Sequence, residues 1–269
     1  MSTTADRRAK SNEPVLLRDN RGGVARLTLN RPKKYNALSE AMLDALQRAL
    51  DDIGADKHVR VVVIAANGPA FCTGHDLAEM RARPDEAYYR ALFGKSSNIM
   101  LTLARIPQPV IARVHGIATA AGCQLVAACD MAIADDGARF ATSGIEQGLF
   151  CSTPSVAVSR AIGRKAAFEM LFTGDFIGAA SAKAQGLINR VAPSSELDAA
   201  VEALAQSIVA KPASAVALGK QMFYAQLEKG LSDAYAYASG MMARNMMDPD
   251  AAEGIDAFFA KRKPVWREF

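Results

Sequence analysis

Two segments of this sequence combine a run typical of a buried strand, a glycine-containing turn and the start of a helix. They read VVVIAANGPAFCTGHDLAEM (61–80) and PVIARVHGIATAAGCQLVAAC (109–129). Two such turns placed side by side can aim two backbone N–H groups at one point, as an oxyanion hole requires. Small side chains let a ligand approach the backbone closely, and a helix start adds partial positive charge. The pattern therefore predicts chemistry in which charge develops on a carbonyl oxygen.

Several other kinds of site are excluded by their missing motifs. The chain has no GxSxG elbow, no GxxxxGK[ST] loop and no HExxH helix. Its three histidines and four scattered cysteines argue against a metal site. The formal charge of +4 is too small to indicate nucleic acid as a partner. The longest apolar run is broken by Gln124 and Asp130, so we expect no membrane span.

The pattern of apolar residues predicts the elements that must position these turns. VARLTLNRP (24–32), RVVVIAANG (60–68) and PVIARVHG (109–116) are predicted strands. A helix is predicted after Ser39, its N-cap, with Gly54 as terminator, and another over 85–105. AAGCQLVAAC is predicted to be a helix entered through small residues, and the chain after Ser155 is mostly helical. This order predicts an α/β fold with parallel crossovers.

Composition bounds the class and the compartment. Half of the residues are hydrophobic and 22% are charged, which is ordinary for a globular protein of 269 residues. We predict a disordered lead-in at 1–13, a core at 14–200 and a helical C-terminal subdomain at 201–269. The N-terminus carries no apolar signal region and no cysteines form a CxxC pair. These features predict reduced thiols in a cytoplasmic protein.

Four motifs in a fixed order resemble the crotonase, or enoyl-CoA hydratase/isomerase, superfamily. They are LNRPxxxNALS, FCTGHDLAEM, VHGIATAAGCQLVAACD and a late FTG…A…AQGLINRV. The resemblance reaches from LTLNRPKKYNALS to EGIDAFFAKRKPVW, and the segments GLFCSTP, LFTGDFI and AFFAKRKPVW indicate one branch of the family. It implies a spiral of ββα turns with a helical C-terminal trimerisation region, and trimers or hexamers. It also implies an acyl-CoA thioester as partner, with no separate cofactor because coenzyme A is part of the substrate.

The resemblance also implies where substrate would bind. The backbone N–H groups of His75 and Ala121 take the position of the oxyanion-hole donors. Two further groups of residues fall at positions that contact CoA, one in the first half of the chain and one in the tail. These are Lys33, Lys34, Ala37, Thr73, Asp76 and Leu77, followed by Phe258 and Lys261.

The two positions where hydratases carry glutamates differ in this chain. Such enzymes use one glutamate as base and one as acid on the water that adds across the double bond. Here the first position is Gln124 and the second is Gly144. An amide has no proton to exchange at neutral pH, so Gln124 can orient a water but cannot deprotonate it. Glu146 lies two residues beyond the second position, an offset that usually redirects a side chain.

Other polar residues of these motifs have both a structural and a chemical interpretation. The His75 side chain could act in acid–base chemistry, but a solvated turn histidine is the favoured interpretation. His115, at a strand end, and Asp130, after the helix, are predicted to form structural bonds. Cys151 could face substrate or act as a small buried hydrophobe.

Two function hypotheses follow. The first is an acyl-CoA enzyme, nominally an enoyl-CoA hydratase, in which hydration is absent or weak. A different reaction that depends on the oxyanion hole, such as thioester hydrolysis, decarboxylation or isomerisation, belongs to this hypothesis. The second is a non-catalytic acyl-CoA-binding or regulatory protein. The missing carboxylates favour the second, whereas the small-residue turns are compatible with both.

Overall fold

The computed structural model describes residues 13–267, so the predicted lead-in at 1–13 falls almost wholly outside the described residues. Ten strands are present in the described part of the chain: β1 (Leu16–Arg21), β2 (Val24–Leu29), β3 (Val61–Ala66), β4 (Ala70–Cys72), β5 (Val110–Val114), β6 (Ile117–Thr119), β7 (Met131–Asp135), β8 (Arg139–Ala141), β9 (Ile177–Gly178) and β10 (Arg190–Ala192).

Eleven α-helices accompany the strands over the same residues: α1 (Glu40–Ala55), α2 (Leu77–Ala82), α3 (Glu86–Arg105), α4 (Ala121–Ala128), α5 (Ser152–Ala161), α6 (Arg164–Thr173), α7 (Ala179–Gln185), α8 (Leu197–Val209), α9 (Ala213–Leu227), α10 (Leu231–Met246) and α11 (Pro249–Phe259). Short 3-10 helices occur at Pro32–Lys34 and Ser143–Gln147.

The strands form two sheets that the chain visits alternately. The six-stranded sheet has the order β1-β2-β3-β5-β7-β10, and only the β1–β2 pair is antiparallel. The four-stranded sheet has the order β4-β6-β8-β9, with β9 antiparallel to β8. Each of β3, β5 and β7 leads into the next strand of the smaller sheet and then into a helix. This repeat of strand, strand and helix confirms the predicted ββα spiral.

The predicted elements occur, and their side chains explain why. β3 is buried along its whole length, as its run of valine and isoleucine predicts. In α1, Met42, Leu43 and Leu46 are among the residues that face the core, and the Ser39 hydroxyl accepts the Met42 N–H as the predicted N-cap. No apolar pattern predicts β1, because its residues, LLRDNR, are mostly exposed and polar. β6 is also unpredicted, since its three residues lie within the small-residue run.

The C-terminal third is helical, and its first helix belongs to the sheet. Leu197, Val201 and Ala205 of α8 pack with Val61 and Ile133 of the larger sheet. The predicted boundary between residues 200 and 201 therefore falls inside α8. Beyond it, α9, α10 and α11 pack on one another. Within residues 13–267, no helix combines the length and the apolar character needed to cross a bilayer.

A buried ion pair attaches α9 to the core. The Lys220 ammonium group, on a residue only 8% exposed, lies 2.6 Å from the Asp130 carboxylate and also donates to the carbonyls of Leu103 and Gln108. The hydroxyl of Tyr224 donates to the other Asp130 oxygen at 2.6 Å. Because these bonds join α9 to the core, Asp130 has the structural role predicted from the sequence. Burial lowers the pKa of Lys220, and Asp130 opposes this shift.

We expect Asp130→Ala to destabilise the protein by about 3–5 kcal/mol, because it leaves the buried Lys220 charge without its partner. Urea unfolding followed by circular dichroism at fixed protein concentration measures this cost. The double variant Asp130→Ala/Lys220→Met is the control and should recover part of the loss, since no charge is then left unpaired. Equal destabilisation by the single and the double variant would show that the ion pair is not what α9 depends on.

Candidate functional site

The two glycine-containing turns meet, as the sequence predicts. Gly74 has a φ of +90°, and a β-carbon there would lie 2.9 Å from the Ala120 β-carbon and 3.2 Å from the Ala121 nitrogen. A β-carbon on Gly122 would lie only 2.1 Å from the Cys72 carbonyl oxygen. Both positions therefore need glycine for space, and at Gly74 the backbone conformation also favours it. Only their missing side chains allow the start of α4 to lie against the end of β4.

The second turn is held in an unfavourable backbone conformation. Ala120 has φ 51° and ψ −123°, a region that residues with a β-carbon seldom adopt. Its N–H donates to the Ala141 carbonyl at 3.0 Å, which fixes the turn against β8. Ala121 then begins α4, so its N–H has no acceptor within the helix. Among the described residues, neither the Ala121 N–H nor the His75 N–H donates a hydrogen bond.

These two residues face a common cavity of about 250 Å³. Its lining is mostly apolar and includes no Asp, Glu, Lys or Arg among the described residues. The lining residues are Thr73, His75, Leu77, Met80, Phe93, Ala120, Ala121, Ser143, Gly144, Gln147, Leu149, Phe150, Cys151, Ser152, Thr153 and Pro154. The arrangement offers two backbone donors at the wall of an uncharged cavity, where hydrogen bonds to a developing negative charge are strong.

His75 is only partly exposed and both of its ring nitrogens are buried, so the prediction of a solvated turn histidine is wrong. Its imidazole packs edge-on against Phe93 with ring centroids 5.3 Å apart. Neither ring nitrogen has a hydrogen-bond partner among the described residues, and both are shielded from solvent. Burial lowers the pKa of His75 to about 4, although the Leu38 backbone lies near enough to oppose the shift, so the ring is neutral at physiological pH. The ring is shielded because α3 places Phe93 over the turn.

The two positions where the resemblance implies glutamates have different surroundings. Gln124 is one turn beyond Ala121 in α4 and only 3% exposed, and its side-chain oxygen has no hydrogen-bond partner in the described chain. It is absent from the cavity lining. Gly144 does line the cavity, but a β-carbon there would lie 2.5 Å from the Leu149 carbonyl oxygen and 2.8 Å from the Cys151 sulfur. Position 144 therefore has no room for any side chain.

Glu146 points elsewhere. It is exposed, it is not part of the cavity lining, and its carboxylate lies beside Gly174 at the end of α6. The two-residue offset thus redirects the side chain, as the sequence indicates. No carboxylate among the described residues lines the cavity.

The loop that carries Lys33 and Lys34 is anchored beside the cavity. Both lysines are exposed on the 3-10 helix Pro32–Lys34. Asn36, fully buried and at φ 54°, holds the loop by donating to the carbonyls of Asn67 and Ala70 and by accepting the Arg31 N–H. Thr73, which lines the cavity, donates its N–H and its hydroxyl to the Tyr35 carbonyl. These bonds place the two lysines near the cavity.

Three other residues predicted to contact CoA lie in different parts of the site: Ala37, Asp76 and Leu77. Ala37 is buried, and its carbonyl accepts from the Arg31 guanidinium at 2.8 Å. The same guanidinium pairs with Asp76 at 3.0 Å, and Asp76 also caps α2. Burial acts to raise the pKa of Asp76, but the Arg31 charge and hydrogen bond together with the N–H groups at the start of α2 outweigh this effect, and the pKa is lowered. Asp76 thus has a structural role here, whereas Leu77 lines the cavity.

The tail residues lie in α11 and just after it. Phe258 is 77% exposed and Lys261 is exposed at φ 51°, and neither lines the cavity of its own chain.

Cys151 lies in the cavity wall beside Gly144, and burial raises the pKa of its thiol. His115 has the structural role predicted for it, bonding Arg113 at 2.9 Å and the Gly68 carbonyl at 2.7 Å.

Sequence reasoning missed the apolar wall of the cavity. Met80 and Phe93 come from α2 and α3, and Leu149, Phe150 and Pro154 come from the segment that enters α5. Apolar residues at helical spacing are usually core residues, so no signal in the sequence distinguishes them. Asn36 could have been noticed, since asparagine is among the few residues that tolerate positive φ.

Comparison with known proteins agrees with this geometry. Residues 19–268 match the family model described as enoyl-CoA hydratase/isomerase. An enoyl-CoA hydratase structure from Mycobacterium smegmatis is 59% identical, has a TM-score of 0.93, and the alignment covers 94% of this chain and 99% of that one. Human enoyl-CoA hydratase domain-containing protein 3 is 44% identical with a TM-score of 0.92, covering 94% and 100%. The Xenopus laevis protein of that name is 44% identical over 94% of this chain and 86% of its own length.

These relatives correct one expectation and confirm another. The prediction of a cytoplasmic protein is contradicted, because the Xenopus, rat, mouse and human relatives are named mitochondrial proteins. The branch indicated by GLFCSTP, LFTGDFI and AFFAKRKPVW is confirmed as that of enoyl-CoA hydratase domain-containing protein 3. With a family match across nearly the whole described chain, this protein belongs to the enoyl-CoA hydratase/isomerase, or crotonase, family.

Proposed function

We propose that this protein binds an acyl-CoA thioester with its carbonyl oxygen between the N–H groups of His75 and Ala121. The observation that carries the proposal is the pair of free N–H groups on two touching turns, both at the wall of one apolar cavity. A buried donor without an acceptor is costly, so such a pair favours a ligand oxygen there. The N-terminus of α4 adds partial positive charge at Ala121. Members of the family act on acyl-CoA thioesters, which fits this chemistry.

The CoA moiety would run from the cavity towards the 31–37 loop. The exposed ammonium groups of Lys33 and Lys34 suit its phosphates, while Thr73 and Leu77 would contact the pantetheine arm. Ala37 and Asp76 would contribute indirectly, because both hold Arg31 and so shape this edge of the site. No separate cofactor is needed, since CoA belongs to the substrate.

Phe258 and Lys261 would meet CoA from a neighbouring subunit of a trimer or hexamer. The C-terminal helices carry apolar side chains that are more than half exposed in the single chain, which supports a role in assembly. They include Phe223, Leu231, Tyr235, Met242, Met247, Phe258 and Phe259.

The reaction that such a site supports depends on its proton-transfer groups. Hydration needs an acid and a base beside the double bond. Gln124 cannot exchange a proton, Gly144 has no side chain, and Glu146 lies outside the cavity. We therefore regard the protein as nominally an enoyl-CoA hydratase whose hydration is weak or absent.

The uncharged cavity lining favours a second candidate function. A non-catalytic acyl-CoA-binding or regulatory protein needs the two backbone donors and the apolar cavity but no carboxylate. A reaction that relies on the oxyanion hole, such as thioester hydrolysis, fits the same site. Binding without turnover of any thioester would favour the binding protein.

We expect hydration of crotonyl-CoA to be at least about 10²-fold slower than in a hydratase with two glutamates, because each proton-transfer group typically contributes that much or more. Loss of the enoyl absorbance measures the rate. Gln124→Glu should leave the rate well below that of the two-glutamate enzyme, since Gln124 does not line the cavity and position 144 has no side chain. Gln124→Leu is the matched control and should not raise it. Turnover by the unaltered protein that equals a two-glutamate hydratase would contradict our interpretation of this site.

We expect Lys33→Glu to weaken butyryl-CoA binding about three- to tenfold, because an exposed charge near the phosphates changes sign. Titration calorimetry at low and at high salt measures the affinity, and the difference should shrink as salt screens the charge. Lys57→Glu is the charge-matched control. Lys57 follows the C-terminal end of the 16-residue α1, roughly 24 Å along the helix from the 31–37 loop. Equal effects of the two variants would argue against CoA binding at the loop.

A further inference from the structure

Arg31 and Asp76 form an ion pair that joins two segments of the proposed site. The Arg31 guanidinium lies 3.0 Å from one Asp76 carboxylate oxygen, and the two side chains are 18% and 12% exposed. Among the ion pairs of the described chain, only Lys220–Asp130 has both partners similarly shielded. Desolvation offsets much of the attraction in such a pair, so its burial alone adds little to stability. What the Arg31–Asp76 pair holds in place is therefore the better guide to its role.

On one side, Arg31 fixes the 31–37 loop. Its guanidinium donates to the Ala37 carbonyl at 2.8 Å, and its backbone N–H donates to the Asn36 side chain at 2.8 Å. Tyr35 and Asn36 both have positive φ, a conformation that residues with a β-carbon seldom adopt and that needs support from surrounding bonds. The conformation of the loop therefore depends on bonds that Arg31 makes.

On the other side, Asp76 fixes the turn from which the first proposed oxyanion-hole donor projects. One carboxylate oxygen contacts Arg31, and the other accepts the N–H groups of Ala78 and Glu79 at the start of α2, at 3.2 and 3.4 Å. Asp76 follows His75 directly in the chain. The position of this carboxylate therefore constrains the backbone next to the His75 N–H.

A short backbone bridge completes the connection between the loop and the turn. The Leu38 N–H donates to the Gly74 carbonyl at 2.7 Å, and the Leu38 carbonyl accepts the Asp76 N–H at 3.3 Å. These two bonds lie on either side of His75, whose own N–H takes no part in them. Consecutive N–H groups of an extended segment point to opposite sides. The bridge therefore leaves the His75 N–H free for the cavity.

The bridge needs support at the Asp76 end. Backbone hydrogen bonds are usually about 2.9–3.0 Å long, so the 3.3 Å bond from the Asp76 N–H is a weak one. The bond from the Thr73 N–H to the Tyr35 carbonyl is also long, at 3.2 Å. The ion pair links the same two segments through side chains, and Arg31 donates to both of them. It therefore keeps the turn from moving away from the loop.

We propose that Arg31 and Asp76 are positioning residues that hold the His75 N–H against the thioester carbonyl. The inference rests on the proposed acyl-CoA binding and extends it, because it assigns the ion pair to the carbonyl end of the ligand. Neither residue lines the cavity, so both act through the backbone of the turn. Breaking the pair weakens the contact with the carbonyl more than the contacts with the CoA moiety.

Calorimetric titration with butyryl-CoA and S-butyl-CoA separates these two contributions. S-butyl-CoA is a thioether of the same chain length that lacks the carbonyl oxygen. The unaltered protein should bind butyryl-CoA at least about fivefold more tightly, the equivalent of one or more hydrogen bonds. Asp76→Asn should reduce this ratio at least about threefold, because the hydrogen bond to the carbonyl is weakened. Asparagine can still cap α2, so the substitution removes the ion pair and keeps the cap.

Three further variants test the pair from other directions. Arg31→Gln breaks the same pair and should lower the ratio as Asp76→Asn does, which provides the test even if Asp76→Asn folds poorly. Arg31→Lys keeps the positive charge and should retain part of the ratio. Asp248→Asn is the matched control and should leave the ratio unchanged. Asp248 likewise caps a helix, α11, and pairs with an arginine, Arg267.

Infrared spectra provide a readout that a loss of stability alone would not change. The ligand is butyryl-CoA labelled with carbon-13 at the thioester carbonyl, at saturating concentration. Binding to the unaltered protein should move the carbonyl band to lower frequency, because hydrogen bonds weaken the C=O bond. The movement should be smaller in Asp76→Asn and in Arg31→Gln. An identical band in the variants and the unaltered protein would contradict a positioning role.

The outcomes separate this inference from the proposed function. If both ligands lose affinity equally in Asp76→Asn, or if neither does, the positioning role is overturned while acyl-CoA binding stands. If butyryl-CoA does not bind the unaltered protein, or binds no more tightly than S-butyl-CoA, the proposed placement of the carbonyl fails and this inference fails with it.

Discussion

The contact between the turns at residues 72–75 and 120–122 is the constraint on which the site depends. Two strands of the smaller sheet, β4 and β6, lead into these turns, and the turns touch only because Gly74 and Gly122 lack side chains. The strained conformation of Ala120 is retained because its N–H is held by β8 and α4 follows directly. The spiral therefore supplies rigid supports for a small region of unusual backbone. Preorganisation of this kind lets backbone donors act without rearranging when a ligand arrives.

Much of the architecture could be predicted from the sequence. Continuous apolar runs gave β3 and β5, and helical spacing with an N-cap gave α1, because these signals are local. The two turns could be located because a close backbone approach requires small residues. β1 could not be predicted, since an exposed edge strand has no apolar pattern. The environment of His75 also depends on a distant element, because Phe93 covers it from α3.

The cavity has an apolar wall and few polar groups. This environment affects the hydrogen-bond strength and the protonation of those polar groups. In a region with little screening, the two free N–H groups act on a bound oxygen more strongly than they would in water. The same conditions keep the His75 ring neutral and the Cys151 thiol protonated. Charge is found instead at the edges of the site, in Lys33 and Lys34 outside and in the Arg31–Asp76 pair beneath the loop. The charged groups of the site thus lie at its edge, while the cavity itself is uncharged.

Gly144 bears on how this protein could change in evolution or in the laboratory. The sequence shows only that a carboxylate is missing there, whereas the structure shows that the Leu149 carbonyl and the Cys151 sulfur fill the space it would need. A single replacement would collide with the chain itself, so the segment from 144 to 151 would have to be refolded together with any new side chain. The lack of a side chain at position 144 is therefore built into the path of the backbone, and placing one there requires several coordinated changes rather than one.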